Sequence, residues 1–149
     1  MTRQRNILLI DDDSVVRQSL GQALMVENFR VFCARNQQEA LLKFQRQPTD
    51  QPFDVILLDL NPRNENAWDT VRHLTAIQPD VAVVAMTARL EQHDSTMGVP
   101  FLRALMAKPL DVVLLVKTLN DLTSQSPEPP SRYTTRLGPT NGTQSSHYE

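Results

Sequence analysis

Ile7-Leu8-Leu9-Ile10-Asp11-Asp12-Asp13 decides the fold: a four-residue apolar run, too short for a helix, breaks into three consecutive acids. Such a run reads as a buried strand, and the acids then stand crowded at its carboxyl end. Two like charges about 5 Å apart at an effective dielectric of roughly 20 repel by about 3 kcal/mol. A site holding several carboxylates therefore needs a metal ion, a lysine or abundant water.

Composition narrows the setting. The chain has 149 residues, of which 40% are hydrophobic and 21% charged, as expected for one ordinary globular domain. A formal net charge of -2, with no lysine or arginine block, offers no field for a phosphate backbone, so direct nucleic-acid binding is not expected. Cys33 is the only cysteine, which excludes an intrachain disulfide and a thiolate metal cluster. It lies in the strand-like Arg30-Val31-Phe32-Cys33-Ala34 and reads as a small core residue. The N-terminal apolar run is too short for a signal peptide or membrane span, so the expected location is cytoplasmic.

Strand-like and helical patterns alternate along the chain, which predicts a parallel sheet covered by helices on both faces. Asn6–Ile10 is the first strand. Ser14 to about Glu27 is a helix with Val16, Leu20 and Leu24 on one stripe. Val31–Ala34 follows as a strand, and Asn36, with Glu39 three positions on, opens a second helix through Ala40, Leu41 and Phe44. Phe53–Asp59 is a strand with an unbroken apolar centre, again ending on an acid. After the polar loop 61–66 a helix carries Trp68, Val71 and Leu74. Val81–Met86 is the fourth strand, stopping at Thr87, and Ala88–Met97 is a short helix stopped at Gly98. Leu102–Ala107 is the fifth strand, followed by Lys108-Pro109 and a last helix from Asp111 to about Leu122. From Ser124 to Glu149 the composition turns to Ser, Thr, Pro, Gly and Gln, with Leu137 the only aliphatic residue. That tail buries too little apolar surface to offset its ordering entropy and is expected to be disordered.

In an open parallel sheet, ligands sit beyond the carboxyl ends of the strands. Those ends carry Asp11 and Asp12, Asp59, Thr87 and Lys108. Each alone has a bland reading, and Asp13 before Ser14 fits a helix N-cap better than a ligand. Together, three carboxylates, a hydroxyl and an ammonium are the parts that hold Mg²⁺ beside a phosphoryl group. His73, His93 and His147 are scattered and have no metal role.

These residues, Ile10-Asp11-Asp12-Asp13-Ser14, Leu57-Leu58-Asp59, Met86-Thr87-Ala88 and Lys108-Pro109, resemble the receiver domain of two-component response regulators. The resemblance spans about Asn6 to Leu122. It implies a flavodoxin-like, doubly wound α/β fold: a five-stranded parallel sheet of order 2-1-3-4-5 with about five helices, forming a receiver over residues 1–123 with a tail over 124–149. It implies that Asp59 is the phosphoacceptor, taking a phosphoryl group from a sensor histidine kinase or a histidine phosphotransfer protein to give an aspartyl phosphate. Mg²⁺ is then held by Asp11, Asp12, Asp59 and the backbone carbonyl of Asn61. Thr87, Ala88 and Lys108 contact the phosphoryl group, and the Lys108–Pro109 bond is cis. Asn61 and Arg89, each two residues beyond a pocket residue, are the positions expected to tune phosphoryl lifetime. The product is a switched protein-interaction face acting on a downstream protein, without catalytic turnover; with no output module in view, a stand-alone signalling phosphoprotein is expected.

Three places depart from the family pattern. The aromatic residue usual three positions before the lysine is Leu105 here; Pro62 and Ala67 stand where the loop after the phosphoacceptor usually carries a differently spaced proline and a glycine; and 89–101 lacks an alanine-rich helix. Two other readings compete. Asp11-Asp12-Asp13 also fits the first motif of a haloacid dehalogenase-type phosphatase with Asp11 as nucleophile, although only the isolated Asp111 follows the lysine to complete that metal site. The other is a pseudo-receiver that docks partners without being phosphorylated.

Overall fold

A computed structural model describes residues 4–60, 67–89, 101–124 and 135–137. Its strands are β1 (Arg5–Ile10), β2 (Phe29–Ala34), β3 (Val55–Asp59), β4 (Ala82–Thr87), β5 (Leu102–Ala107) and β6 (Thr135–Leu137). Between them stand α1 (Ser14–Val26), α2 (Gln37–Arg46), α3 (Ala67–Ile77) and α4 (Val112–Ser124). All strand pairs are parallel, in the order β2-β1-β3-β4-β5-β6.

The expected 2-1-3-4-5 sheet is present, and one expectation needs amendment. The sheet has a sixth strand: Thr135–Leu137, from the segment read as a disordered tail, pairs with β5. Polar composition argued against a packed element there, yet strand addition uses backbone hydrogen bonds, which composition does not report. Four helices, against about five expected, occur among the described residues. Ala88 and Arg89 are not helical, and the rest of the helix expected over Ala88–Met97, together with Asn61 and Pro62, lies outside the described residues.

Side-chain alternation divides the core in two. Leu8, Ile10, Ile56, Leu58, Val83 and Leu105 face α2 and α3 through Phe44, Val71 and Leu74. Ile7, Leu9, Leu57, Val84 and Met106 face α1 and α4 through Leu20, Leu24, Leu115 and Leu119. Both faces of β3 and β4 are thus covered, which is why their sequences run apolar without alternation. One irregularity interrupts the pattern. Val83 pairs with Leu102 but Val84 with Ala104, so Arg103 is an extra residue in β5. The bulge places Leu102 and Leu105 in the same half of the core despite their three-residue spacing.

Element boundaries follow local polar chemistry. The Asp13 carboxylate accepts from Val15 N–H (2.9 Å) and Val16 N–H (3.4 Å), starting α1 as an N-cap. At its other end α1 stops at Val26, and Asn28 takes a left-handed φ of 70°. Asn36 caps α2 by accepting from Glu39 N–H, while the Glu39 carboxylate reaches back to Arg35 N–H, both 2.9 Å. β3 begins at Val55, two residues later than expected. Asp54 instead locks to Asn6, its N–H donating to the Asn6 carbonyl and its carboxylate accepting the Asn6 N–H, both at 2.8 Å. Phe53 turns into the core, stacked on Phe44 at 4.9 Å and edge-on to Phe32 at 5.3 Å.

Candidate functional site at the strand ends

Because every strand points the same way, the carboxyl ends of β1, β3, β4 and β5 share one edge of the sheet. Asp11 continues β1 by one residue, its N–H donating to the Ala34 carbonyl at 3.1 Å. Asp59 is the last residue of β3, paired with Met86, and Leu60 N–H donates to the Met86 carbonyl at 2.8 Å. Thr87 ends β4 opposite Ala107, one residue further into the strand than the sequence suggests, and Lys108 N–H donates to its carbonyl at 2.7 Å. The Lys108–Pro109 bond is cis.

These backbone positions bring the charged groups together. Asp11, Asp12 and Asp59 each present a carboxylate oxygen, all within 4.8 Å of one another, an arrangement that can hold a metal ion. Lys108 Nζ lies 2.6 Å from Asp59 Oδ1 and 3.6 Å from Asp11 Oδ2. Asp11 and Asp59 are buried, Asp12 is exposed, and the lysine side chain is 27% exposed.

The two oxygens of Asp11 have different surroundings. Oδ1 accepts Asp13 N–H at 2.9 Å, whereas Oδ2 is buried, faces Lys108 Nζ at 3.6 Å and has no hydrogen-bond partner among the described residues. Burial pushes the Asp11 carboxyl above the usual carboxylate range; the Asp13 hydrogen bond opposes this, Asp59 adds to it, Lys108 opposes it and Asp12 adds a little more. A buried carboxylate oxygen with no hydrogen-bond donor among the described residues, beside two further carboxylates, fits a hard cation taking oxygen ligands.

Asp13 is turned away to cap α1, as its sequence context suggests. Thr87 is buried, and its hydroxyl is engaged with the backbone of Arg89: it accepts Arg89 N–H at 3.1 Å and donates to the Arg89 carbonyl at 3.4 Å. Ala88 and Arg89 are exposed at the mouth of the site. Asn61 lies outside the described residues. Leu105, at the position of the usual aromatic, is fully buried in the core. Arg17 was not anticipated. Its guanidinium donates to the Asp11 carbonyl at 2.6 Å and so fixes the acidic turn from α1. The readable signal was a cation close to a helix N-terminus, where the macrodipole disfavours one.

The doubly wound sheet thus carries acids at the ends of β1 and β3 and a lysine beyond β5, gathered at one edge. Residues 7–120 match the response regulator receiver domain, and the chain belongs to that family. Domains of this family are signalling modules of two-component systems, where they work opposite histidine kinases. Among similar proteins, response regulator RR06 of Streptococcus pneumoniae is 27% identical over 118 residues, covering 78% of this chain and 52% of that protein. The transcriptional regulatory protein PrrA of Mycobacterium tuberculosis is 35% identical over 92 residues, covering 62% of this chain and 38% of PrrA. The chain thus spans about half or less of these relatives' own length. In fold it is similar to the chemotaxis response regulator CheY4 of Vibrio cholerae, with a TM-score of 0.69 at 22% identity, over 80% of this chain and 99% of that one. No helix among the described residues is long and apolar enough to cross a membrane.

Proposed function

We propose that the chain is a phosphorylation-dependent signalling receiver whose phosphoacceptor is Asp59. The observation that carries this reading is the position of the Asp59 carboxylate, buried at a strand end, 2.6 Å from Lys108 and within 4.8 Å of ligand atoms on Asp11 and Asp12. An Asp59 oxygen attacks the phosphorus of a kinase or phosphotransfer-protein phosphohistidine; the P–N bond breaks and its electron pair returns to the imidazole. Mg²⁺ neutralises the phosphoryl oxygens when bound, and Asp11, Asp12, Asp59 and the Asn61 carbonyl are the groups to hold it. Lys108 adds a second positive charge beside the acceptor.

Phosphorylation adds nearly two negative charges to a pocket already rich in them. Lys108 answers with its ammonium, and Thr87 by exchanging its Arg89 backbone contacts for the phosphoryl group. Ala88 N–H adds a donor, and Arg89 and Asn61 set how readily water attacks. The outcome is a shift between two packings at the β4–β5 end, read by a partner protein rather than by turnover of a substrate. The receiver occupies residues 1–123 in the cytoplasm, with 124–149 as an appended tail.

Incubation with acetyl phosphate and Mg²⁺ tests this. A stoichiometric adduct of one phosphoryl group, absent in Asp59→Asn, is the expected result. Turnover that depends on Asp11 and survives Asp59→Asn would establish the phosphatase reading instead, and no adduct under any condition would leave the pseudo-receiver.

A further inference from the structure

β6 is the shortest strand of the sheet, and it covers the one edge of β5 that β4 leaves open. Thr135, Arg136 and Leu137 pair with Ala104, Leu105 and Met106. Without them, the outward N–H and C=O groups of β5 would form a bare strand edge, a ready template for pairing with another chain. Three residue pairs hold this cover, against five pairs between β5 and β4. Elements with so few backbone hydrogen bonds lie at the low end of local stability and open before the rest of the sheet.

The cover also lies close to the chemistry. Met106, the last residue paired with β6, is two residues before Lys108 on the same strand, and the Lys108 ammonium is 2.6 Å from Asp59. The ends of β4 and β5 are tied together by the Thr87–Ala107 pair and by the Lys108 N–H to Thr87 carbonyl bond of 2.7 Å. A phosphoryl group added at Asp59 draws the Thr87 hydroxyl toward β3 and re-seats Lys108, already 2.6 Å from Asp59, on the new oxygens. Since β3 and β6 lie on opposite sides of the β4–β5 pair, that draw is away from β6.

We propose that Thr135–Leu137 is a displaceable cover over the β5 edge, occupied by the chain's own tail at rest and weakened when Asp59 is phosphorylated. The coupling rests on the receiver reading above; the covering itself does not. Linkage makes the effect reciprocal, so that loosening the cover favours the phosphorylated state.

Residue-resolved hydrogen exchange on the full chain tests both parts. In the unphosphorylated protein, Arg136→Pro/Leu137→Pro removes two consecutive N–H groups, of which one must face β5. Exchange of the Ala104–Met106 amides directed at β6 is expected to quicken about tenfold or more in that variant, and to remain slow in Arg136→Ala. In the unsubstituted chain carrying an acetyl phosphate-derived adduct verified by intact mass, the same amides are expected to exchange about tenfold faster than without it. The double-proline chain should also reach a higher fraction of adduct at the same acetyl phosphate concentration.

Unchanged exchange in the double-proline variant overturns the cover. Unchanged exchange in the verified adduct overturns its coupling to Asp59. Failure to form any adduct overturns the receiver reading and the coupling together, while the proline comparison still decides whether the tail strand protects the edge.

Discussion

Lys108 Nζ stands 2.6 Å from Asp59 Oδ1 across a sequence separation of 49 residues, and the same ammonium is 3.6 Å from Asp11 Oδ2. One cation thus balances two buried carboxylates. In Lys108→Met, which keeps the aliphatic stem, they lose the ammonium they share. Removing one partner from a buried pair costs about 3 kcal/mol, somewhat less here because the lysine is partly solvated. A lowered melting temperature is expected without metal, and millimolar Mg²⁺ should restore part of the loss. A melt indistinguishable from that of the unsubstituted protein would show that the ion pair has no structural weight.

Asp11 makes the stability of the metal-free protein depend on pH. Its carboxyl is raised above its ordinary value of 3.8, chiefly by burial, so in that window the native state binds a proton that the unfolded state has already released. Between 3.8 and the raised value the native chain holds more protons, and the Asp11 contribution to stability falls as pH rises. Asp11→Asn keeps an oxygen for Asp13 N–H and removes the buried charge. It should melt higher than the unsubstituted, metal-free protein at neutral pH, with the gap closing as pH falls toward 3.8. A gap that widens on acidification would contradict the assignment. With Mg²⁺ present the unsubstituted protein should gain stability and the variant little.

Thr87 holds Arg89 N–H at 3.1 Å in a buried setting. Thr87→Ala leaves that donor without its partner and is expected to cost about 1 kcal/mol, measured by chemical denaturation. Thr87→Ser keeps the hydroxyl and should recover most of it. In Thr87→Ala the adduct on Asp59 should still form, but the faster exchange it causes in β5 should be diminished. An adduct that loosens β5 equally in both variants would remove Thr87 from the switch.

Arg89, exposed at the mouth of the site, is proposed to slow hydrolysis of the aspartyl phosphate. Arg89→Ala should then lose its adduct about fivefold faster, which corresponds to about 1 kcal/mol of barrier. An unaltered decay time would assign the arginine to solvent alone.

Much of this architecture was legible because its physics is local or periodic. Apolar runs ending in acids located β1 and β3, and the Asp13 and Asn36 caps fixed the starts of α1 and α2, since a side-chain oxygen next to an apolar-periodic segment has few other uses. Asp11, Asp12, Asp59, Thr87 and Lys108 could be placed at one edge because a parallel sheet gathers its carboxyl ends. Features that depend on partners distant in sequence were not legible. The Asn6–Asp54 lock displaced the start of β3, the extra residue at Arg103 appears only when β5 is laid against β4, and Arg17 reaches the Asp11 carbonyl only once α1 is docked. The pairing of Thr135–Leu137 depends on backbone groups that every sequence carries, so no residue pattern announces it.

The strand order β2-β1-β3-β4-β5-β6 has a consequence for biosynthesis. Once β1 and β2 have met, every later strand joins an edge that is already finished when it leaves the ribosome, and none has to be threaded between two neighbours. At translation speeds of about 5–20 residues per second, far slower than helix formation, the sheet can grow in step with the emerging chain. Asp59 then acquires its surroundings in a set sequence, with Asp11 waiting before it is made and Lys108 arriving after both, so the acids meet without the Lys108 ammonium until β5 docks.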